Sequence, residues 1–164
     1  MGMDKQIVEI DYQDEDYLLQ LKYPDMVFSK DTAVYYHFLS TILPFQLYMV
    51  LPEDSSTVIQ TDYPVRVNYC NLSADEIMTV NSSMGYPIRV TSLERTVYDM
   101  MNDETANLEM IKEMLDEYAD RDNRNKEQFI HYFGAFYDLN DHSEKEQFLT
   151  KHAGYRKPVK FSIN

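Results

Sequence analysis

Phe28-Ser29-Lys30-Asp31-Thr32-Ala33-Val34-Tyr35-Tyr36-His37-Phe38-Leu39 is the stretch whose reading decides the fold. Ser29 stands where an N-cap belongs, because its hydroxyl can accept a backbone N–H from a first helical turn. Asp31 lies early enough to suit the positive end of a helix dipole. Phe28 and Ala33 can close a hydrophobic staple across the cap. From Ala33 to Leu39 no Asp, Glu, Lys or Arg occurs, so a helix here should be buried on most of its circumference. The expectation is a spine helix over Phe28–Leu39, continuing to about Ile42 and stopped by Pro44.

Upstream, Asp14–Tyr23 reads as a short helix with acidic residues in its first turn and Pro24 beyond its end. Ile7–Tyr12 alternates weakly and is assigned at most an edge strand. Downstream, from Gln46 to Thr91, the hydrophobic period becomes two: Leu47, Met49 and Leu51; Val65, Val67 and Tyr69; Ile88 and Val90. With Val58–Ile59 and Ile77–Val80 this predicts four to five short strands. Ser82-Ser83-Met84-Gly85 reads as a hairpin turn. After Val90 the period is helical again. Thr91-Ser92-Leu93-Glu94 and Ser143-Glu144-Lys145-Glu146 have capping-box spacing. Leu108, Ile111, Leu115 and Tyr118 recur at helical spacing, and a following helix after Asn125 carries Phe129, Ile130, Phe133, Phe136 and Tyr137. A last helix should close at Gly154, and Val159–Ile163 alternates like an edge strand. The predicted class is α+β: short N-terminal helices, a small, mostly antiparallel sheet, and a helical C-terminal half. The units are a core over 1–102, C-terminal helices over 103–154 and a tail over 155–164.

Asp and Glu outnumber Lys and Arg 28 to 15, giving a formal charge of −13. Such a field repels phosphate backbones and argues against a chain that binds nucleic acid over its whole surface. The lone Cys70 permits no intramolecular disulfide and no Cys-based zinc site. No apolar run approaches the roughly 20 residues of a membrane span, and a cytoplasmic protein is expected.

Chemistry-bearing candidates are few. Asp31 and Tyr35 share a helix face, whereas His37 points elsewhere, so they make no metal pair; a core histidine bonded to a backbone carbonyl is the preferred reading. Arg95 and Asp99 are i, i+4 neighbours able to pair within a helix. Asp31, Glu94 and Asp99 would supply a metal-dependent nuclease or phosphotransferase only if the fold gathered them. Phosphate-loop and dinucleotide fingerprints are absent, H-E-x-x-H is absent, and four glycines leave little material for a cradle. No cofactor and no metal are expected. Lys151, His152, Arg156, Lys157 and Lys160 form a basic cluster, read as a solvated tail, with a DNA-binding accessory role as the alternative.

Two motifs in order carry a resemblance. Val27-Phe28-Ser29-x-x-Thr32-Ala33-x-Tyr35-x-His37-x-Leu39, a P-x-x-x-x-M-V-L-P strand from Pro44, and Leu93-Glu94-Arg95-Thr96-x-x-Asp99-Met100 together resemble the core domain of AbiEi-type antitoxins of type IV toxin–antitoxin systems. Lys30, Val34 and Met100 stand where His, Leu and Leu are usual. The likeness spans about residues 13–102, and more loosely the helices to Leu149. It implies a non-enzymatic antitoxin whose partner is a nucleotidyltransferase-like toxin, opposed without a necessary stable complex. It marks Ser29, Thr32, Tyr35, His37, Glu94, Arg95, Thr96 and Asp99 as motif positions. The winged helix that precedes this core in the family has no counterpart in the fewer than thirty residues before Ser29. Operator binding is therefore not expected of this chain, and oligomeric state is left open.

Overall fold

Met26, Val27 and Phe28 are all buried, and this short apolar run forms the central strand of the sheet. The computed structural model describes residues 14–152, whose elements in chain order are α1 (Glu15–Lys22), β1 (Val27–Phe28), α2 (Lys30–Tyr36), β2 (Leu47–Leu51), β3 (Val65–Tyr69), β4 (Ile77–Asn81), β5 (Pro87–Thr91), α3 (Leu93–Met101), α4 (Leu108–Ala119), α5 (Lys126–Phe133) and α6 (His142–His152). A single 3-10 turn, Ala74–Glu76, leads into β4. The architecture is α+β, with the five strands in one mixed sheet ordered β3-β2-β1-β5-β4. The expected strands at Ile7–Tyr12 and Val159–Ile163, and the helix stop at Gly154, lie outside the described residues.

The sheet pairing is evenly divided rather than mostly antiparallel. β1 runs antiparallel to β2 (Val27↔Val50, Phe28↔Met49) and parallel to β5 (Phe28↔Val90). β2 and β3 are parallel from Leu47↔Val65 to Leu51↔Tyr69, and β4 and β5 form the expected hairpin. Gly85, at φ +89°, closes that hairpin by donating its N–H to the Ser82 carbonyl at 3.0 Å. The parallel β2–β3 pair requires a crossover, because the chain must return along the strand before pairing again. Residues 52–64 supply it, so Val58–Ile59 form no strand. Ile59 packs on the core while Val58 is exposed, and the Gln60 N–H bonds the Tyr23 hydroxyl at 2.9 Å.

The spine helix is shorter than the sequence pattern predicts, because β1 claims Phe28 and the C-terminus closes early. α2 has seven residues. Beyond its C-cap His37, Phe38 adopts φ +57°. The Phe38 N–H then bonds the Tyr35 carbonyl and the Leu39 N–H the Val34 carbonyl, both at 3.0 Å. That is a Schellman closure with phenylalanine in the left-handed position. Ser29 occupies the N-cap position, but its hydroxyl makes no capping bond. Of the two capping-box predictions, each is displaced by one or two residues: Ser92 caps α3 by accepting the Arg95 N–H at 3.1 Å, and Asp141 caps α6 by accepting the Glu144 N–H at 3.0 Å. Asn125 caps α5, which ends on Gly134 at φ +81°.

Two apolar clusters meet at α2. Phe28, Met49, Leu51, Ile88 and Val90 of the sheet pack with Leu19 of α1 and with Ala33 and Tyr36 of α2. On its other side, Val34 of α2 and Leu39 beyond it join Val97, Met100, Ile111, Leu115, Phe129, Phe133 and Phe148 of the C-terminal helices. Truncating Val34 would therefore loosen the C-terminal cluster and truncating Phe28 the sheet cluster, each such fully buried large apolar side chain contributing about 1.5–3 kcal/mol. Among the described residues, no helix is long and apolar enough to cross a membrane.

Candidate functional site

The two motifs converge on one backbone carbonyl. His37, only 4% exposed at the end of α2, donates from Nε2 to the Thr91 carbonyl at 2.7 Å. Thr96, fully buried in α3, offers its hydroxyl to the same carbonyl at 3.2 Å and lies 2.7 Å from the Thr91 hydroxyl. Burial pushes the His37 imidazole down to about 4, so the ring is neutral at pH 7. Thr91 is the last residue of β5, so this three-residue knot joins the sheet to both motif helices. Thr32 adds a second clamp: its hydroxyl accepts the Tyr48 N–H at 2.9 Å, while the Tyr48 carbonyl accepts the Ser29 N–H at 2.9 Å. Tyr35 is half-buried, its ring edge-on to Tyr36 at 5.0 Å.

The second motif is spent in two directions. Glu94, 2% exposed, accepts the Tyr118 hydroxyl and the Asn125 N–H on Oε2, both at 2.8 Å. It thereby ties α3 to the end of α4 and the start of α5. Its neighbour Arg95 faces the other way, bonding Asp99 at 2.9 Å and Glu76 at 3.0 Å. Glu76 also takes the Tyr132 hydroxyl and the Ser73 N–H, and these donors hold its carboxyl down at about 2 against the cost of burial. For Asp99, burial outweighs Arg95 and pushes the carboxyl up to about 6. The carboxylates Asp31, Glu94 and Asp99 are not gathered. Among the described residues no group of three or more His, Cys, Asp or Glu is placed to hold a metal.

A cleft of about 260 Å³ opens where the motifs approach the sheet, lined by Ser29, Lys30, Cys70, Arg95, Asp99 and Asn102 among others. Lys30 sits at φ +47° and pairs with Asp103 at 3.4 Å. The Ser29 hydroxyl is buried there without a hydrogen-bond partner, and so is one oxygen of Asp31 nearby in the chain. Cys70 Sγ lies 3.7 Å from the Arg95 guanidinium. The two cations lining this cleft are paired with carboxylates of the fold, Lys30 with Asp103 and Arg95 with Asp99 and Glu76.

Several residues that hold this region are not marked by any sequence motif. Glu76 and Tyr132 are 56 positions apart, and Gln128 reaches both the Ser92 hydroxyl at 2.7 Å and the Asp75 carbonyl at 2.9 Å. Gln20 of α1 pairs through its amide with Met26 and with both backbone groups of Arg89. Such long-range partners have no fixed spacing and leave no trace in a periodicity. Of the basic cluster, Lys151 is exposed at the end of α6, and Arg156, Lys157 and Lys160 lie outside the described residues. Compared with known proteins, the chain matches no family model and no curated protein.

Proposed function

We propose that this chain is the core of a type IV antitoxin, a non-catalytic module acting in the cytoplasm against a nucleotidyltransferase-like toxin. The observation that carries the reading is the use of the motif side chains. His37, Thr96, Thr32 and Glu94 bond to backbone or to structural partners inside the fold, and Arg95 is held by two carboxylates. Polar groups used in this way build a scaffold, and the chemistry left to the protein is that of its outer surface. That surface is acidic, which suits a basic protein partner and opposes nucleic acid.

Co-expression with the co-encoded toxin tests the reading, with growth as the readout. Charge reversals at Glu109 and Asp120, both exposed on or beside α4, should fold normally and locate the acting face if they abolish rescue. The chain should leave a promoter of its own operon unrepressed, and duplex DNA should bind, if at all, only in a salt-sensitive and sequence-independent way.

A further inference from the structure

We infer that the loop from Phe38 to Phe45 is a preformed docking surface for a protein that presents lysines and arginines around an apolar recess. Phe38 is 78% exposed, Leu43 68% and Phe45 96%, all within eight residues that carry no charge. Large apolar side chains this exposed on one short loop are the raw material of an interface core.

The loop is held in place from behind. Leu39 is fully buried in the C-terminal core and Ile42 packs against it. Glu113 of α4 accepts the Ser40 hydroxyl at 2.7 Å, the Thr41 N–H at 3.0 Å and the Thr41 hydroxyl at 3.3 Å on one oxygen. Arg121 donates to the Phe38 carbonyl at 2.9 Å. Phe38 itself sits at φ +57°, a conformation that a solvent-facing phenylalanine does not choose for its own sake. A loop ordered before it meets a partner loses less freedom on binding.

Charge selects the occupant. The helix beneath the loop belongs to a stretch, 103–122, with eight Asp or Glu against Lys112 and Arg121. Lys30 and Lys145 pair with Asp103 and Asp116, the stretch stays net acidic, and Glu113 and the Arg121–Glu117 pair stand at the loop itself. A second copy would bring the same acidic rim against it, and nucleic acid or an anionic lipid surface would be repelled in the same way. A basic protein surface is the partner that this rim attracts and the three apolar side chains can anchor. The inference concerns the loop alone and does not depend on the antitoxin reading.

The test uses the full 164-residue chain and a phage-displayed library of random 15-residue peptides as the probe. Enriched peptides should combine Lys or Arg with aromatic or aliphatic residues and weaken as salt rises. Their affinity should fall at least about tenfold on the paired change Leu43→Ser/Phe45→Ser, and also, independently of that pair, on Phe45→Gln. Unchanged thermal midpoints in both variants show that folding is not the cause. Enrichment of neutral or acidic peptides, equal binding by the variants, or no enrichment over them would overturn the inference. So would concentration-dependent dimerisation abolished by the same pair, which would give the surface to a second copy. Peptide binding that appears only after deletion of residues 153–164 would give it to the chain's own tail and overturn the inference equally.

Discussion

Replacing Phe38 separates backbone strain from side-chain packing. Phe38 closes α2 in the left-handed region at φ +57°, where a Cβ costs roughly 1–2 kcal/mol and glycine costs nothing. Both Phe38→Gly and Phe38→Ala delete a ring that is 78% exposed, so the loss of contacts is small and common to the pair. Glycine's looser unfolded chain offsets about 0.4–1 kcal/mol of its advantage. Phe38→Gly should therefore be more stable than Phe38→Ala by about 0.5–1 kcal/mol, the reverse of the order found inside a helix. For a chain of this length that is a difference of about 1–4 °C in thermal midpoint. Urea unfolding followed by far-ultraviolet circular dichroism reads it directly. Phe38→Ala at or above the stability of Phe38→Gly would refute the Schellman closure at this position.

His37 carries a folded pKa of about 4 against about 6.5 unfolded, so its stabilising burial is lost as pH falls from 6.5 to 4. The stability gap between wild type and His37→Gln should narrow by on the order of 3 kcal/mol across that window, and a gap that stays constant would contradict a neutral buried imidazole. The raised Asp99 acts in the opposite sense, its contribution falling as pH rises from 3.8 to 6, but it is common to both proteins and cancels in the difference. Glu94→Ala leaves the Tyr118 hydroxyl and the Asn125 N–H without their acceptor and should cost about 2–4 kcal/mol by denaturant unfolding, whereas Glu94→Gln, which keeps an acceptor oxygen, should cost less. Glu113→Ala should speed hydrogen exchange at the Thr41 amide several-fold without changing exchange in β5, since its carboxylate holds the loop and not the sheet.

The class of fold is written in the hydrophobic period: two through Leu47–Leu51 and Val65–Tyr69, and a helical period from Leu93 onward. Strand direction is not written there, because alternation is the same for parallel and antiparallel partners. Val58–Ile59 look like a strand and serve as a crossover for that reason. β1 is missed because two residues are too few for any period, although the buried run Met26–Phe28 is its trace. The helix over Phe28–Leu39 is overextended because nothing in the letters announces a left-handed phenylalanine; the glycine that would announce it is absent. Within the site, His37 is the core histidine bonded to a backbone carbonyl that the uncharged stretch from Ala33 to Leu39 suggests, and the Arg95–Asp99 pair follows from i, i+4 spacing. Glu94 gave no sign of its partners Tyr118 and Asn125, which lie 24 and 31 positions away.

Growth under toxin induction tests the proposed antitoxin function most directly. Cells carrying the co-encoded nucleotidyltransferase-like toxin and residues 1–164 should form colonies at the uninduced frequency, while cells with the toxin and an empty vector should not. Persistent growth arrest with the chain well expressed and folded, as judged by a cooperative thermal transition, would contradict the account and leave these motifs as features of the scaffold alone.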